Sequence, residues 1–423
     1  MIINAFLFLF FIIAIIYSFK YRFIQISFIK ESRKALKKER TSYYAFLMTL
    51  ASHIGAGNIV GVTSALIIGG PGSLLWMIIS SFFISIFALI ENTLSVKYRQ
   101  EINGETRGGA SFYIDKGLGK KKLAILFSFL LLCSSTIFFG PLQVNTLSQS
   151  LIIPFKIDQA LVLIIMILFS FFVIFKGTKI IIKFIEMLVP FMTLVFVLVA
   201  IICILLNINR MPSIIVMVVK DAFNFKSITG ALLGGAMIVG LKRSAFSNEA
   251  GLGTSPTLSG MSKISSPVAQ GYVQILTVFI DTAVMCTLMG VMILIYDINM
   301  EGFEGISLAI YVYEVIFGEF GKYLGSFLLF SFSLATWVSS YYSGETNILY
   351  LQSHLKKDGN HIRNLYKLLF ISSTVFGIYA NAPEIWSAID IGMVFLGIIN
   401  IYVMIKLDKD FKGELSKFMK EYS

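Results

Sequence analysis

The sequence predicts an all-α polytopic membrane protein: ten core helices in two five-helix halves, one inverted relative to the other, behind one extra N-terminal transmembrane helix. Three observations carry this. Of 423 residues, 57% are hydrophobic and only 14% charged, with a mean hydropathy of +0.82, whereas soluble domains are richer in charge. Apolar runs of about 20 residues, the length that crosses a bilayer, recur with short loops along the whole chain. The basic residues, finally, collect in alternate loops.

Eleven runs have the required length. A leading helix at about 3–19 is followed by 44–68, 73–96, 123–150, 158–175, 180–206, 229–255, 267–296, 322–344, 365–380 and 385–405. The leading run has neither a basic start nor a clear small-residue cleavage site, so we read it as a retained helix rather than a signal peptide. The chain then divides into a leading helix and basic segment (1–43), a first half (44–207), a second half (208–406) and a basic tail (407–423). Five helices is an odd number, so the second half must run opposite to the first.

Charge placement tests the count. With the N-terminus outside, the segments 20–43, 97–122, 176–183, 256–266, 345–367 and 406–423 face the cytoplasm and hold 28 of the 35 Lys and Arg residues. The opposite side holds only Lys156, Arg210, Lys220, Lys226 and Lys322, while Lys242 and Arg243 lie inside the sixth core span. This is the positive-inside pattern, and it places the C-terminus in the cytoplasm and the protein in the plasma membrane, the inner membrane of a bacterial cell. The net charge of +11 is therefore topological and does not point to nucleic acid. The stretch from Lys20 to Arg40, interleaved with Phe23, Ile24, Phe28 and Ile29, has two readings. It is an amphipathic segment lying on inner-leaflet lipid, or charge that merely sets topology. The outer loop after the seventh core span carries Asp297, Glu301, Glu304, Glu314 and Glu319 around the apolar stretch 306–316. It reads as a short interfacial helix forming a lid, or as a plain connection. Cys133, Cys203 and Cys286 are isolated in apolar runs. They show no disulfide or metal spacing and read as small core residues.

The first core span carries His53-Ile54-Gly55-Ala56-Gly57-Asn58 halfway along. Lipid cannot hydrogen-bond a loosened backbone, so such a break survives only beside protein or a cavity. Broken helices at mid-membrane are where secondary transporters hold substrate and ion. Freed amides can receive a carboxylate, aided by the positive end of a helix dipole, and freed carbonyls such as those of Ile54 and Gly57 can coordinate a cation. Asn58 offers both donor and acceptor. The competing reading is close helix packing through Gly57 and Gly61. The sixth span opens the second half with a counterpart, Gly234-Gly235 and then Ser247-Asn248-Glu249-Ala250-Gly251-Leu252-Gly253. Paired interruptions in inverted halves are the best sequence pointer to a transport site.

Charges inside spans are expensive and are usually functional or paired. Lys242, Arg243, Glu249 and Asp281 sum to zero, and we expect them to form an intramembrane ion network. In the third span, Pro141 should bend the helix, and Gln143 and Asn145 bring polar groups inward. In the eighth, Ser333, Thr336 and Ser340 share a face by the 3–4 spacing. Their hydroxyls complete a cation site with carbonyls of the first span, or bond back to their own helix. His53 is either a core histidine bonded to a carbonyl or a proton carrier.

At these residues the chain resembles the alanine/glycine:cation symporter family, sodium- or proton-coupled amino-acid carriers with the LeuT-type fold. The similarity covers most of the chain. It is carried by Gly-Ala-Gly-Asn-Ile-Val-Gly-Val (55–62), Gly-Gly-Pro-Gly (69–72), Val-Lys-Tyr-Arg (96–99), Tyr-Ile-Asp-Lys-Gly-Leu-Gly (113–119), Phe-Ile-Asp-Thr (279–282) and Tyr-Tyr-Ser-Gly-Glu (341–345). Above all it rests on Gly-Leu-Lys-Arg and Phe-Ser-Asn-Glu-Ala-Gly-Leu-Gly within 240–253. The resemblance implies that substrate contacts Gly55, Ala56, Gly57, Asn58, Gln143, Phe246, Thr336 and the residue at Ser340. It implies a cation near Ile54, Gly57, Ser333 and Thr336. Ala56 stands where the family commonly has threonine, Ala335 where it has a hydroxyl, and Ser340 where it has tryptophan, which together imply a pocket of altered, roomier shape.

The expected activity is therefore symport of a small neutral amino acid with Na⁺ or H⁺, without any further cofactor. The alternatives are a carrier of a larger amino acid such as glutamine, or a cation channel. A channel should show a polar stripe or charged rings along a pore, whereas the polar residues here gather near one depth. A membrane-embedded enzyme lacks support, since no metal-ligand cluster or nucleophile–base motif is present.

Overall fold

A computed structural model describes residues 2–38, 40–224, 235–300, 302–303, 305–355, 360–380 and 382–422. It is almost entirely helical; a short hairpin of β1 (Gln100–Ile102) and β2 (Glu105–Arg107) is the one sheet among the described residues. Eight described helices are long and apolar enough to cross a membrane, or nine when the bent pair 40–69 is taken as one span.

Helix α1 (Ile2–Lys20) turns Phe8, Leu9, Ile12 and Ile16 outward and buries Phe10, Ala14 and Tyr17. Phe10 meets Phe87 edge-on at 5.1 Å. The basic segment folds into α2 (Phe28–Lys38), which buries Ser32 and Ala35 and exposes Lys30, Arg33 and Lys34. The first core span is α3 (Arg40–His53), a break, a wide π-turn at Gly57–Gly61, and α4 (Val62–Gly69), with a bend of 47° across the break. Then come α5 (Gly72–Lys97), the hairpin, α6 (Ala110–Leu118), α7 (Lys121–Phe155), α8 (Gln159–Lys176), α9 (Thr178–Leu206) and α10 (Met211–Ala222). Pro141 does not break α7. The turn Ser134–Phe139 widens to π geometry just before it, which absorbs the missing amide and lets the span continue.

The sixth expected span ends earlier than its apolar run suggested, at Asn248 rather than near 255. Its described part is α11 (Ala236–Asn248), and Gly234 lies outside the described residues. The chain then leaves helical geometry at Glu249, Gly251 and Gly253, with φ of 50°, 81° and 79°, before the one-turn α12 (Ser255–Ser259). The glycines at 251 and 253 suit this left-handed path. The later elements are α13 (Pro267–Ile295, with a π stretch at Phe279–Cys286), α14 (Gly305–Phe317), α15 (Glu319–Leu355), α16 (Asn360–Tyr379), α17 (Ala382–Lys406) and α18 (Asp408–Tyr422). The stretch after Asp297 thus contains a helix and is not a plain loop. Helix α14 buries Ile306, Ala309, Ile310 and Tyr313, and the Thr63 hydroxyl of α4 donates to Gly305 O at 3.0 Å.

The tail is also more than a solvated charge run. In α18, Asp408 pairs with Lys20 at 2.7 Å and Asp410 with Lys97 at 2.9 Å, while Phe411 is buried against Tyr21. Burial raises the Asp410 carboxyl, but hydrogen bonds from Lys97 and Tyr98 and the Lys97 charge outweigh it and hold the group below the usual carboxylate range.

Candidate functional site

The break between α3 and α4 is where neighbouring helices meet the backbone. Past Ile54 the helical ladder stops: Gly55 N reaches back only to His53 O at 2.9 Å and also donates to Asn58 Oδ1 at 3.1 Å. Ala56 N donates across to Gln143 Oε1 of α7 at 3.0 Å. Orphan amides at a helix start need such partners, and here one is supplied by a side chain from another span. Gly55 has a packing reason to lack a side chain. A Cβ there would stand 2.9 Å from Gln143 Oε1 and closer still to the Thr336 hydroxyl.

On the other side of the break sits Thr336 of α15. Its Oγ1 lies 2.7 Å from Ala51 O, 3.1 Å from Ile54 O and 3.1 Å from Phe332 O. One hydroxyl carries one proton, so these four oxygens form a crowded, buried cluster of hard ligands. Ala51 and Phe332 belong to it although neither stood out in the sequence, because only their carbonyls take part. Ser333, expected beside Thr336, is buried with no hydrogen-bond partner among the described residues, and Ser340 bonds back to Thr336 O at 2.9 Å. His53 is buried with neither ring nitrogen partnered among the described residues, so it is not the carbonyl-bonded core histidine considered above.

The second break is held differently. Glu91 of α5, fully buried, accepts from Gly251 N at 3.0 Å and Ser255 Oγ at 3.1 Å through one oxygen. Its other oxygen accepts from Gly253 N at 3.0 Å and from Asn400 Nδ2 of α17 at 2.7 Å. Glu91 was missed in the sequence because it lies near the end of an apolar run, where an acid reads as a flank.

The expected four-residue ion network does not form as one unit. Lys242 pairs instead with Asp390 of α17. The Arg243 guanidinium lies over the Trp386 ring, 4.5 Å from its centroid, and donates to Ser64 Oγ at 3.1 Å. Asp281 accepts from Asn58 Nδ2, from Ser247 Oγ at 2.7 Å and from Thr282 Oγ1 at 2.8 Å. Glu249 is buried one residue beyond the end of α11, within electrostatic reach of Asp281 and Glu91. A zero sum over neighbouring spans does not require mutual pairing; the counter-charge to Lys242 comes from Asp390, far along the chain. Cys286, expected as plain core, lies 3.5 Å from Asn58 Nδ2 and 3.3 Å from Ser247 Oγ.

Phe246 lies over Gly57, where an added Cβ would meet its ring at 2.9 Å. Phe246 stacks on Phe139 with centroids 5.9 Å apart and packs on Trp386 at 4.5 Å. Phe246 thus faces the break and is itself flanked by two further rings. Trp337, by contrast, packs on Phe169 and Phe370. Of the expected residues, the structure gathers Ile54 to Asn58, Gln143, Phe246, Thr336 and Asp281 around the first break.

Known proteins resemble this chain along most of its length. The model of the sodium:alanine symporter family matches residues 1–423. The amino-acid carrier protein AlsT of Bacillus subtilis (strain 168) is 30% identical over 398 residues, covering 93% of this chain and 84% of AlsT. The probable sodium/glutamine symporter GlnT of the same organism is 32% identical over 405 residues, covering 93% of this chain and 84% of GlnT. Among solved structures, MhsT in complex with L-phenylalanine superposes with a TM-score of 0.61 at 16% identity, covering 86% of this chain and 88% of MhsT; that likeness concerns the LeuT-type fold alone. The protein is a transporter and not an enzyme. With a family match along its whole length, the chain belongs to the sodium:alanine symporter family of cation-coupled amino-acid symporters.

Proposed function

We propose that this symporter imports a small neutral amino acid, alanine- or glycine-like, together with Na⁺ by alternating access, its N-terminus outside and its C-terminus in the cytoplasm. The observation that carries the reading is the first break itself. Ala56 N is capped by a side-chain oxygen of Gln143, and Ala51 O, Ile54 O and Phe332 O surround the Thr336 hydroxyl. A substrate carboxylate can take the place of Gln143 Oε1 on the amides of 55–57 while Asn58 and Gln143 orient it. Na⁺, a hard cation that prefers oxygen, suits the four oxygens around Thr336, with Gly57 and Ser333 as further candidates. Asp281 is a buried acid whose hydrogen-bond partners Asn58, Ser247 and Thr282 are all neutral, so it favours positive charge near Asn58.

Cation and carboxylate then stabilise the same occupied state, and the two broken helices rock against the remaining scaffold. The membrane potential contributes about 2.3 kcal/mol per charge per 100 mV. The halves 44–207 and 208–406 are read as the inverted pair. A second reading, glutamine as substrate, is favoured by the likeness to GlnT and by Ser340 standing where a larger side chain is expected. A third, H⁺ coupling, would use the unpartnered His53.

Counterflow in proteoliposomes tests the reading. Saturable exchange of labelled alanine that requires sodium supports it, and exchange of glutamine alone would move the substrate to the second reading. Uptake driven by a pH gradient without sodium would replace Na⁺ by H⁺. Cation flux without any amino acid, or normal exchange in Asn58→Ala, would refute the site.

A further inference from the structure

Beyond the Trp386–Phe246 pair lies a cavity of about 370 Å³, lined by Ser64, Lys242, Arg243, Phe303, Trp386 and Asp390 among others. It sits between α4, α11, the start of α14 and α17, on the side expected to face outward. Arg243 is its unusual member. The residue is only 8% exposed, yet Nε and Nη1 have no hydrogen-bond partner among the described residues, and Nη2 has only the neutral Ser64 hydroxyl. The neighbouring acid, Asp390, gives one oxygen to Lys242. A buried guanidinium with two idle nitrogens is costly unless an anion completes it. The Trp386 face below it offsets part of that cost but accepts none of the in-plane N–H groups.

We propose that Arg243 is a carboxylate-binding site in this outer cavity, where an amino-acid substrate docks by its carboxylate before it passes the Trp386–Phe246 pair and reaches the first break. Guanidinium N–H groups match the paired oxygens of a carboxylate, which a spherical anion does not offer. The placement is continuous: Arg243 lies on Trp386, Trp386 on Phe246, and Phe246 on Gly57. The Lys242–Asp390 pair lines the same cavity. The identity of the docked molecule rests on the amino-acid reading above; the carboxylate site itself does not.

The test uses the full chain in detergent, labelled with 5-fluorotryptophan. It has three tryptophans, and Trp386→Phe assigns the resonance of interest. Propionate, which has the carboxylate of alanine but no amine, is titrated at constant ionic strength against chloride, in an Asn58→Ala background that disables the central site. A saturable shift of the Trp386 resonance is expected, absent with alaninamide. Arg243→Gln should raise its midpoint at least tenfold, the loss expected for a charge-assisted hydrogen bond. Arg243→Lys, which keeps the charge without the fork, should fall between. No saturable shift, or the same midpoint in both variants, overturns the site. If the site stands but the parent protein fails alanine counterflow, the substrate reading fails and the carboxylate site remains.

Discussion

Replacing Glu91 by glutamine should loosen the second break while leaving the helices on either side intact. The magnitude follows from the donors. Two backbone amides, Gly251 N and Gly253 N, one hydroxyl and one side-chain amide all point at the two carboxylate oxygens. Glutamine has one acceptor. Its best orientation leaves the oxygen toward Gly253 N and Asn400, and turns its NH₂ toward Ser255 Oγ, which can accept. Gly251 N–H then has no acceptor. A buried donor left without a partner costs about 1–3 kcal/mol, and the three surviving bonds lose their charge assistance. We therefore expect about 2 kcal/mol less protection against local opening at 249–255. Through the tenfold per 1.4 kcal/mol relation, that is about 30-fold faster amide exchange there. Hydrogen exchange with mass spectrometry on peptides spanning 249–259, and on an α5 control peptide, reads this directly. Unchanged exchange at 249–255 with uptake abolished would refute the reasoning, because Glu91 would then be acting on a transported species rather than on the backbone.

Three further expectations concern the first break and the tail. Thr336→Val keeps the shape but removes the hydroxyl near Ala51 O, Ile54 O and Phe332 O; the sodium concentration for half-maximal uptake should rise about tenfold, with little change in thermal stability. Gly55→Ala places a Cβ against Gln143 Oε1 and Thr336; overpacking of about 1–3 kcal/mol should abolish the sodium- and substrate-dependent rise in melting temperature while the protein still purifies as a single species. Asp410 is held below its ordinary pKa by Lys97 and Tyr98, so its contribution is complete above the unfolded value of about 4 and is lost as pH falls through the lower folded value. Residues 408–422 should accordingly become open to acid-active protease only in that acidic window, and Asp410→Asn should open them at neutral pH.

What could be read from the sequence were features that a single stretch of chain expresses by itself. The break at Gly55 to Asn58 is legible because glycines and an asparagine interrupt an apolar run. The left-handed path at 249–253 follows from Gly251 and Gly253. Gln143 and Thr336 could be proposed because the family motifs mark them, and the short helix at 305–317 because an apolar stretch is framed by acids. The unread part depends on contacts between distant stretches. Asp390 and Trp386 lie on the last core helix, and neither has a local pattern that foretells Lys242 or Phe246. Ala51 and Phe332 act through carbonyls, which every residue has. The π-turn at 134–139, just ahead of Pro141, could not be foreseen, because wide turns leave no periodic mark in composition.

The bonds at the two breaks sort into two kinds, and the sorting bears on how access could alternate. Asp281 joins the breaks to each other: one oxygen accepts from Asn58 in the first, and the other from Ser247 in α11, just before the second. Phe246 against Gly57 does the same by packing. These contacts join α3–α4 to α11. Gln143 and Thr336 instead tie the first break to α7 and α15, two helices that also pack on each other. These are the groups that a carboxylate and a cation would engage. If the pair of broken helices rocks against α7 and α15, the ties that must be exchanged are those at Ala56 N and around Thr336, while the Asp281 links persist. A substrate with no carboxylate would leave Gln143 on Ala56 N and fail to favour the occupied state. Cation without substrate would alter only one of the two ties. Tight coupling then follows from needing both. It predicts that Gln143→Ala weakens dependence on the substrate carboxylate, measured as a smaller difference in affinity between alanine and alaninamide, whereas Asp281→Asn impairs both ligands together. Equal losses for alanine and alaninamide in Gln143→Ala would show that Gln143 serves packing alone.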